Sequence, residues 1–230
     1  MRPTRFRVAA GPGRGYQRRM DKAAIHAVIF DVGNVLIRWD ARLLYRSLLP
    51  DEAAIDAFFD EVGFHDWNVA FDRGTPWDEG VAERSARHPH RADLLAAFHH
   101  RWHDTVPGPV EGMPELLADL DAAGVPLYAI TNFSGEKWAE TQARFPFLTN
   151  TFRDVVVSGH EGMLKPEPGI YRRCLDRNGL EAGRSVFIDD SAANVAGAAA
   201  LGIDALHFTS ASALAAALAA RGLLTPRDSA

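Results

Sequence analysis

The sequence predicts an α/β fold: a Rossmann-like, doubly wound parallel sheet with an inserted α-helical cap. Three observations predict it. Short apolar runs without helical spacing, each the signature of a strand buried on both faces, occur five times. Helical stretches separate the later runs at the interval of βαβ crossovers. One long piece, 38–106, breaks the alternation with helical spacing and no convincing strand. At 230 residues, 47% hydrophobic and 24% charged, the chain is an ordinary globular protein, which excludes a disordered-tail class. A chain of this size buries roughly 70% of its unfolded surface without disulfides or a structural metal.

In chain order, the first strand is expected over 25–31, an apolar run ending in an acid followed by Gly33 and Asn34. Next comes the insertion, whose helices are expected over 40–49, 51–62, 77–87 and 91–105, with Asp51 after Pro50 as a helix start. Strands are then expected over 125–131, 155–158, 185–189 and 203–208. Helices are expected over 113–123, 135–145, 167–178 and 192–201, three of them closed by Gly124, Gly179 and Gly202. An alanine-rich helix over 211–221 reads as a C-terminal packing element. The domain reading is therefore a basic leader at 1–22, a core of 23–37 and 107–230, and a cap of 38–106.

Charge is uneven. Net charge is −5, yet residues 1–22 hold Arg2, Arg5, Arg7, Arg14, Arg18, Arg19 and Lys22 against Asp21 alone. The acidic remainder argues against a nucleic-acid partner, which calls for a basic stripe. The leader has Gly11, Pro12, Gly13 and Gly15 and no apolar run, so it fits neither a secretory signal nor a membrane span. It reads as a disordered extension, with an Arg-rich transit peptide as the alternative. A lone Cys174 has no disulfide or zinc partner, so a reducing, cytoplasmic setting and a packing role are expected.

Three predicted strands end in polar clusters: Asp31-Val32-Gly33-Asn34, Thr131-Asn132-Phe133-Ser134 and Asp189-Asp190-Ser191. A fourth leads into Leu164-Lys165-Pro166. Adjacent parallel strands bring all four to one sheet edge, where ligands of such folds bind. Any one cluster alone is an ordinary turn; the gathering is the signal. Buried carboxylates need a cation, and carboxylate and carbonyl oxygens suit Mg²⁺.

The set FDVGNVL, ITNFS, LKPEP and FIDDSAANVAGA resembles the four motifs of the haloacid dehalogenase superfamily, over residues from about 23 to 208. The resemblance implies a hydrolase that transfers phosphoryl groups through an aspartyl-phosphate, with a phosphorylated small molecule as substrate. By position, Asp31 is the nucleophile. Thr131 gives its hydroxyl and Asn132 its backbone or amide N–H to the transferring oxygens, and Lys165 neutralises the charge shared by nucleophile and phosphoryl group. Asp190, the Asp31 carboxylate and the Gly33 carbonyl are the implied Mg²⁺ ligands, with Asp189 behind them or acting through water. Asn34 and Ser134 are expected to bind substrate, and Ser191 and Asn194 to cap the following helix.

The chain departs from the family pattern at Gly33, where a second aspartate usually serves as general acid and base. A loss of that kind costs about 10²–10⁴-fold in rate. Branches with an Asp-x-Gly-Asn motif, among them sugar-phosphate phosphatases, resemble this chain. His160 and Glu161 are the expected substitutes. One alternative is a metal-free 2-haloacid dehalogenase using Asp31 on carbon, against which the Asp189-Asp190 pair speaks; another is an impaired binding protein that kept the fold.

Specificity is expected from the cap, which offers Trp39, Phe64, His65, Trp67, Asn68 and Trp77. Most of these read as cap core; Trp39 and Trp67 are the expected substrate contacts. His99, His100 and His103 read as a solvated face rather than a metal site. The sequence leaves monomer or homodimer open, and exposed cap aromatics would support a homodimer.

Overall fold

The computed structural model describes residues 25–225, so the leader expected over 1–22 lies outside them. The chain opens with β1 (Ala27–Phe30) and passes into five helices: α1 (Ala41–Tyr45), α2 (Glu52–Val62), α3 (Phe64–Asp72), α4 (Trp77–Arg87) and α5 (Ala92–His100). It continues through α6 (Met113–Ala122), β2 (Leu127–Thr131), α7 (Gly135–Arg144) and α8 (Phe147–Asn150). β3 (Asp154–Val157), α9 (Ser158–Glu161), α10 (Pro168–Asn178) and β4 (Ser185–Asp189) follow. The path ends with α11 (Ala192–Ala199), β5 (Asp204–His207) and α12 (Ala211–Ala219).

The five strands form one parallel sheet in the order β3-β2-β1-β4-β5. Val28 stands opposite Leu127 and Val186, and Phe30 opposite Ala129 and Ile188. Because side chains alternate across a strand, these six face one way, onto Leu116, Leu117 and Leu120 of α6 and Leu214 and Leu218 of α12. Ala27, Ile29, Tyr128, Ile130 and Phe187 face the other way, onto Ile170, Tyr171 and Cys174 of α10. Cys174 is a buried free thiol in that layer. Two apolar faces on every central strand explain why the strands read as unbroken apolar runs. β1 lies between β2 and β4, so the chain winds to both sides of it, and the crevice of such a switch point opens above its carboxyl end. No helix among the described residues is long and apolar enough to cross a membrane.

The insertion differs from its sequence reading in three places. The helix expected over 40–49 is α1 alone, capped by Asp40, whose Oδ1 accepts from Arg42 N at 2.9 Å; the chain then turns ahead of Pro50, which disfavours helix in the residue before it. α3 was not anticipated, because Gly63 at φ 59 ends α2 and starts α3 within one residue. The stretch 91–105 splits into α5 and a 3₁₀ turn at Trp102–Thr105.

These helices enclose an aromatic core. Phe71 and Trp77 stack with centroids 4.0 Å apart, and Trp67 packs against Phe71 at 5.1 Å and Phe98 at 5.6 Å. Trp67 is 2% exposed and donates its indole N–H to Gly80 O at 3.0 Å, so the expectation that it contacts substrate is corrected: it is core. Among the described residues the large hydrophobic side chain that stands exposed is Leu48, while Trp39 and Phe59 of the insertion are partly buried.

One close approach seats the insertion on the core, and a second packs α9 against α7 beneath it. A Cβ on Gly74, whose φ is +107, would lie 2.7 Å from Gly159 O, and one on Gly159 would lie 2.7 Å from Gly135 N. Beside them Arg73 Nη2 meets Glu167 Oε1 at 2.6 Å.

Gly80 tests the aromatic core, since a Cβ there would come within 2.4 Å of the Phe71 ring. Gly80→Ala gains helix propensity but overpacks the ring stack, and a net loss of about 1–2 kcal/mol is expected in urea unfolding.

Candidate active site

β1, β2 and β4 end side by side, and each hands the chain to a loop that presents a polar group. Asp31 follows β1 directly and is 7% exposed. Its Oδ1 accepts from Val32 N at 2.6 Å and lies 2.6 Å from Lys165 Nζ. The same ammonium reaches Asp189 Oδ2, at the end of β4, at 2.7 Å and lies over the Phe187 ring at 5.6 Å. Asp189 is fully buried, and its oxygens also accept from Ser191 N at 2.8 Å and Asn194 Nδ2 at 3.0 and 3.1 Å. Ser191 caps α11, whereas the Asn194 side chain, expected as a second cap, turns back to fix Asp189.

Lys165 is held by its backbone. Asn132 donates Nδ2 to Lys165 O at 3.0 Å and accepts Lys165 N at Oδ1 at 2.8 Å. The clasp takes Oδ1 and one of the two Nδ2 hydrogens, so Lys165 sets the orientation of the amide, and Asn132 also lines a cavity beside it. Thr131 Oγ1 is buried and has no hydrogen-bond partner.

Burial pushes the Asp31 carboxyl up to about 7; Lys165 pulls it down and Asp189 adds to the rise. Burial by itself would lower the Lys165 ammonium, but Asp31 and Asp189 outweigh it and hold the pKa above the usual lysine value. Asp190 is exposed at the rim, where desolvation by the packed strand ends and then the charge of Asp189 raise its carboxyl.

One oxygen from each of Asp31, Asp189 and Asp190 lies within 4.8 Å of the others, and among the described residues this is the group of side chains that can converge on one ion. Three carboxylates face one ammonium, an imbalance that a divalent cation would neutralise, and an all-oxygen donor set suits Mg²⁺. These residues fit the expected ion. The histidines do not form a site: His99 stacks on Trp77 at 5.3 Å and lies 3.3 Å from Asp78, while His103 lies 3.3 Å from Glu140. His99 is thus half-buried against Trp77 rather than part of a solvated face.

A cavity of about 150 Å³ opens beside Gly33 and Asn132. Asn34, Phe133 and Ser134 line it, joined from the insertion by Trp39, Asn68, Asp72, Trp77 and Trp102 and from α7 by Lys137. Asn34 takes φ 55, a left-handed conformation that asparagine tolerates, and its Oδ1 accepts from Trp39 N at 2.9 Å. The Ser134 hydroxyl accepts the Trp77 indole N–H at 2.7 Å, so Ser134 lines the wall while holding Trp77 in place. Asp72, Trp102, Phe133 and Lys137 were not singled out from the sequence; Asp72 closes α3, itself unanticipated. Neither expected substitute for an acid at position 33 lines the cavity. Glu161 pairs with Arg173 at 3.1 Å and Arg177 at 2.9 Å, and His160 is exposed, with its ring against Gly135.

A family profile described as haloacid dehalogenase-like hydrolase matches residues 25–202. The chain belongs to this family of hydrolases. It is 28% identical over 185 residues to the sesquiterpene phosphatase astK of Aspergillus oryzae, covering 80% of this chain and 89% of that one. Among solved structures it resembles a HAD family enzyme of Bacteroides thetaiotaomicron in complex with magnesium and inorganic phosphate, with a TM-score of 0.62 at 19% identity over 81% of this chain and 96% of that one. A HAD family hydrolase of Deinococcus radiodurans with bound phosphate and sodium gives a TM-score of 0.62 at 24% identity over 89% of this chain and all of that one. These likenesses, at low identity, concern the fold.

Lys165→Met leaves two buried carboxylates without their shared partner. An uncompensated buried charge costs about 3–5 kcal/mol, and a loss of that size is expected in urea unfolding at neutral pH.

Proposed function

We propose that the protein is a Mg²⁺-dependent hydrolase of small phosphomonoesters that works through an aspartyl-phosphate on Asp31. The observation that supports this best is the Asp31–Lys165–Asp189 cluster with Asp190 beside it: a buried carboxylate held against an ammonium, in a setting with too much negative charge unless a divalent cation joins it. The phosphatase named among the relatives points the same way.

In this reading the Asp31 carboxylate attacks phosphorus as the bond to the leaving alcohol breaks. Lys165 faces the oxygen that bonds to phosphorus and offsets the charge gathered there. Thr131 Oγ1, buried and unpartnered, supplies a hydroxyl donor to a phosphoryl oxygen, and the Asn132 backbone N–H a second. Asp31, Asp190 and the Gly33 carbonyl would hold Mg²⁺, with Asp189 fixing Lys165; the ion, when bound, would supply neutralisation of the negative charge gathered in the site. Water then attacks the aspartyl-phosphate and releases inorganic phosphate. The wall of Trp39, Trp77, Trp102 and Phe133, interrupted by Asn68 and Lys137, suits a leaving group with both apolar faces and polar edges, such as a sugar.

The test is phosphate release from p-nitrophenyl phosphate with and without Mg²⁺, beside chloride release from 2-chloropropionate. Mg²⁺-dependent phosphate release is expected, falling roughly 10⁴-fold or more in Asp31→Asn, with no chloride release. Chloride release without metal would replace this reading with the dehalogenase.

A further inference from the structure

Gly33 leaves the site without an acid two residues after the nucleophile, and the insertion brings one to the cavity that Gly33 lines. Asp72, the last residue of α3, lines the wall with Gly33, Asn34 and Asn132. Its position is fixed from both sides of the seam. Asn68 Nδ2 donates to Asp72 Oδ2 at 3.2 Å, the Ser134 backbone N–H donates to the carboxyl, and Asp72 O accepts from the Ser158 hydroxyl. Ser158 Oγ in turn accepts Phe133 N at 2.8 Å, so one hydroxyl ties the end of α3 to the loop after β2.

We propose that Asp72, delivered by the inserted helices, is the general acid and base of this hydrolase and stands in for the carboxylate missing at position 33. The proposal rests on the phosphatase reading above. While Asp31 attacks phosphorus, the Asp72 carboxylic acid gives its proton to the departing oxygen, so the alcohol leaves neutral. The resulting Asp72 carboxylate then takes a proton from the water that attacks the aspartyl-phosphate. This restores the acid and frees phosphate and Asp31.

The environment suits both roles. Burial lifts the Asp72 carboxyl to about 7, with the Ser134 N–H opposing, Asp31 adding to the rise and Lys165 lowering it. The surrounding protein desolvates the group although part of its surface opens to the cavity. Lys137 lines the same cavity, α9 brings His160 against Gly135, and Arg73 turns away to Glu167 and Gly162 O. None of the ion pairs among the described residues neutralises the Asp72 carboxyl.

A general acid matters most for poor leaving groups, which separates it from a residue that only shapes the cavity. Asp72→Asn, which keeps an acceptor for Ser134 N–H, is compared with the parent on p-nitrophenyl, phenyl and benzyl phosphate. Expected for the variant is a fall in kcat/KM of about 10²–10⁴-fold on benzyl phosphate and much less on p-nitrophenyl phosphate. With the latter, a stoichiometric burst of nitrophenol followed by slow turnover is expected, because the phosphoenzyme lacks its base. A Cβ on Gly33 meets nothing within 4 Å, so Gly33→Asp in the same chain is expected to restore benzyl phosphate hydrolysis. Asp72→Ser is the second variant, with the same expectation, should Asp72→Asn fail to fold. An equal fall on all three esters without a burst, or unchanged rates, would overturn the proposal. If instead Asp31→Asn retains activity, the phosphatase reading itself fails, and Asp72 with it.

Discussion

The Lys165 ammonium sits between two carboxylates that the sheet buries, and much of the local architecture exists to keep it there. Asp31 and Asp189 cap adjacent strands, so their charges are brought close by the pairing of β1 with β4. Neither could remain ionised at that depth without a cation, and Lys165 comes from a loop with no regular structure of its own. Its place is secured instead by Asn132, whose amide makes two hydrogen bonds to the Lys165 backbone, and by Asn194, which fixes the far carboxylate. Four chain segments are thereby locked to one charge, and Asp190 is left at the rim.

The insertion completes what this cluster begins. The loops after β1 and β2 bring Gly33, Asn34, Asn132 and Ser134 to the cavity, and the inserted helices wall it with Trp77 and Trp102. Trp77 is anchored at both ends, by its stack on Phe71 and by its indole bond to Ser134. Its ring also lies 5.1 Å from Lys137 Nζ, a favourable cation–π distance. Enclosure of this kind would keep bulk water from the acyl phosphate of the proposed reaction.

The sequence made the sheet legible because every central strand is covered on both faces, which leaves continuous apolar runs that end in acids. The site was legible where its residues sit at strand ends: Asp31, Thr131, Asp189 and Asp190 are adjacent in space because the strands are. What stayed hidden was whatever tertiary docking supplies. Trp67 and Trp77 look alike in sequence and stand on the same helical unit. One turns into the insertion's own core and the other reaches Ser134 across the seam, a choice made by packing. Asp72 closes a helix that a left-handed Gly63 starts without any loop, and no local signal marks its approach to Gly33. The Asn132 amide, one of two Asn132 groups expected to reach the phosphoryl oxygens, is oriented by Lys165, 33 residues away in the chain.

The glycine seam has a consequence for how this sequence can change. Gly74 meets Gly159 backbone to backbone, and Gly159 is itself packed on Gly135, so a side chain at Gly74 has to be matched by a retreat of the core beneath it. Elsewhere insertion and sheet meet through side chains, as Trp77 meets Ser134 and Arg73 meets Glu167, where a change on one side can be met by a rotamer change on the other. At the seam they are coupled, and a new insertion grafted onto this sheet would have to present an equally bare strip of backbone before it could seat at all.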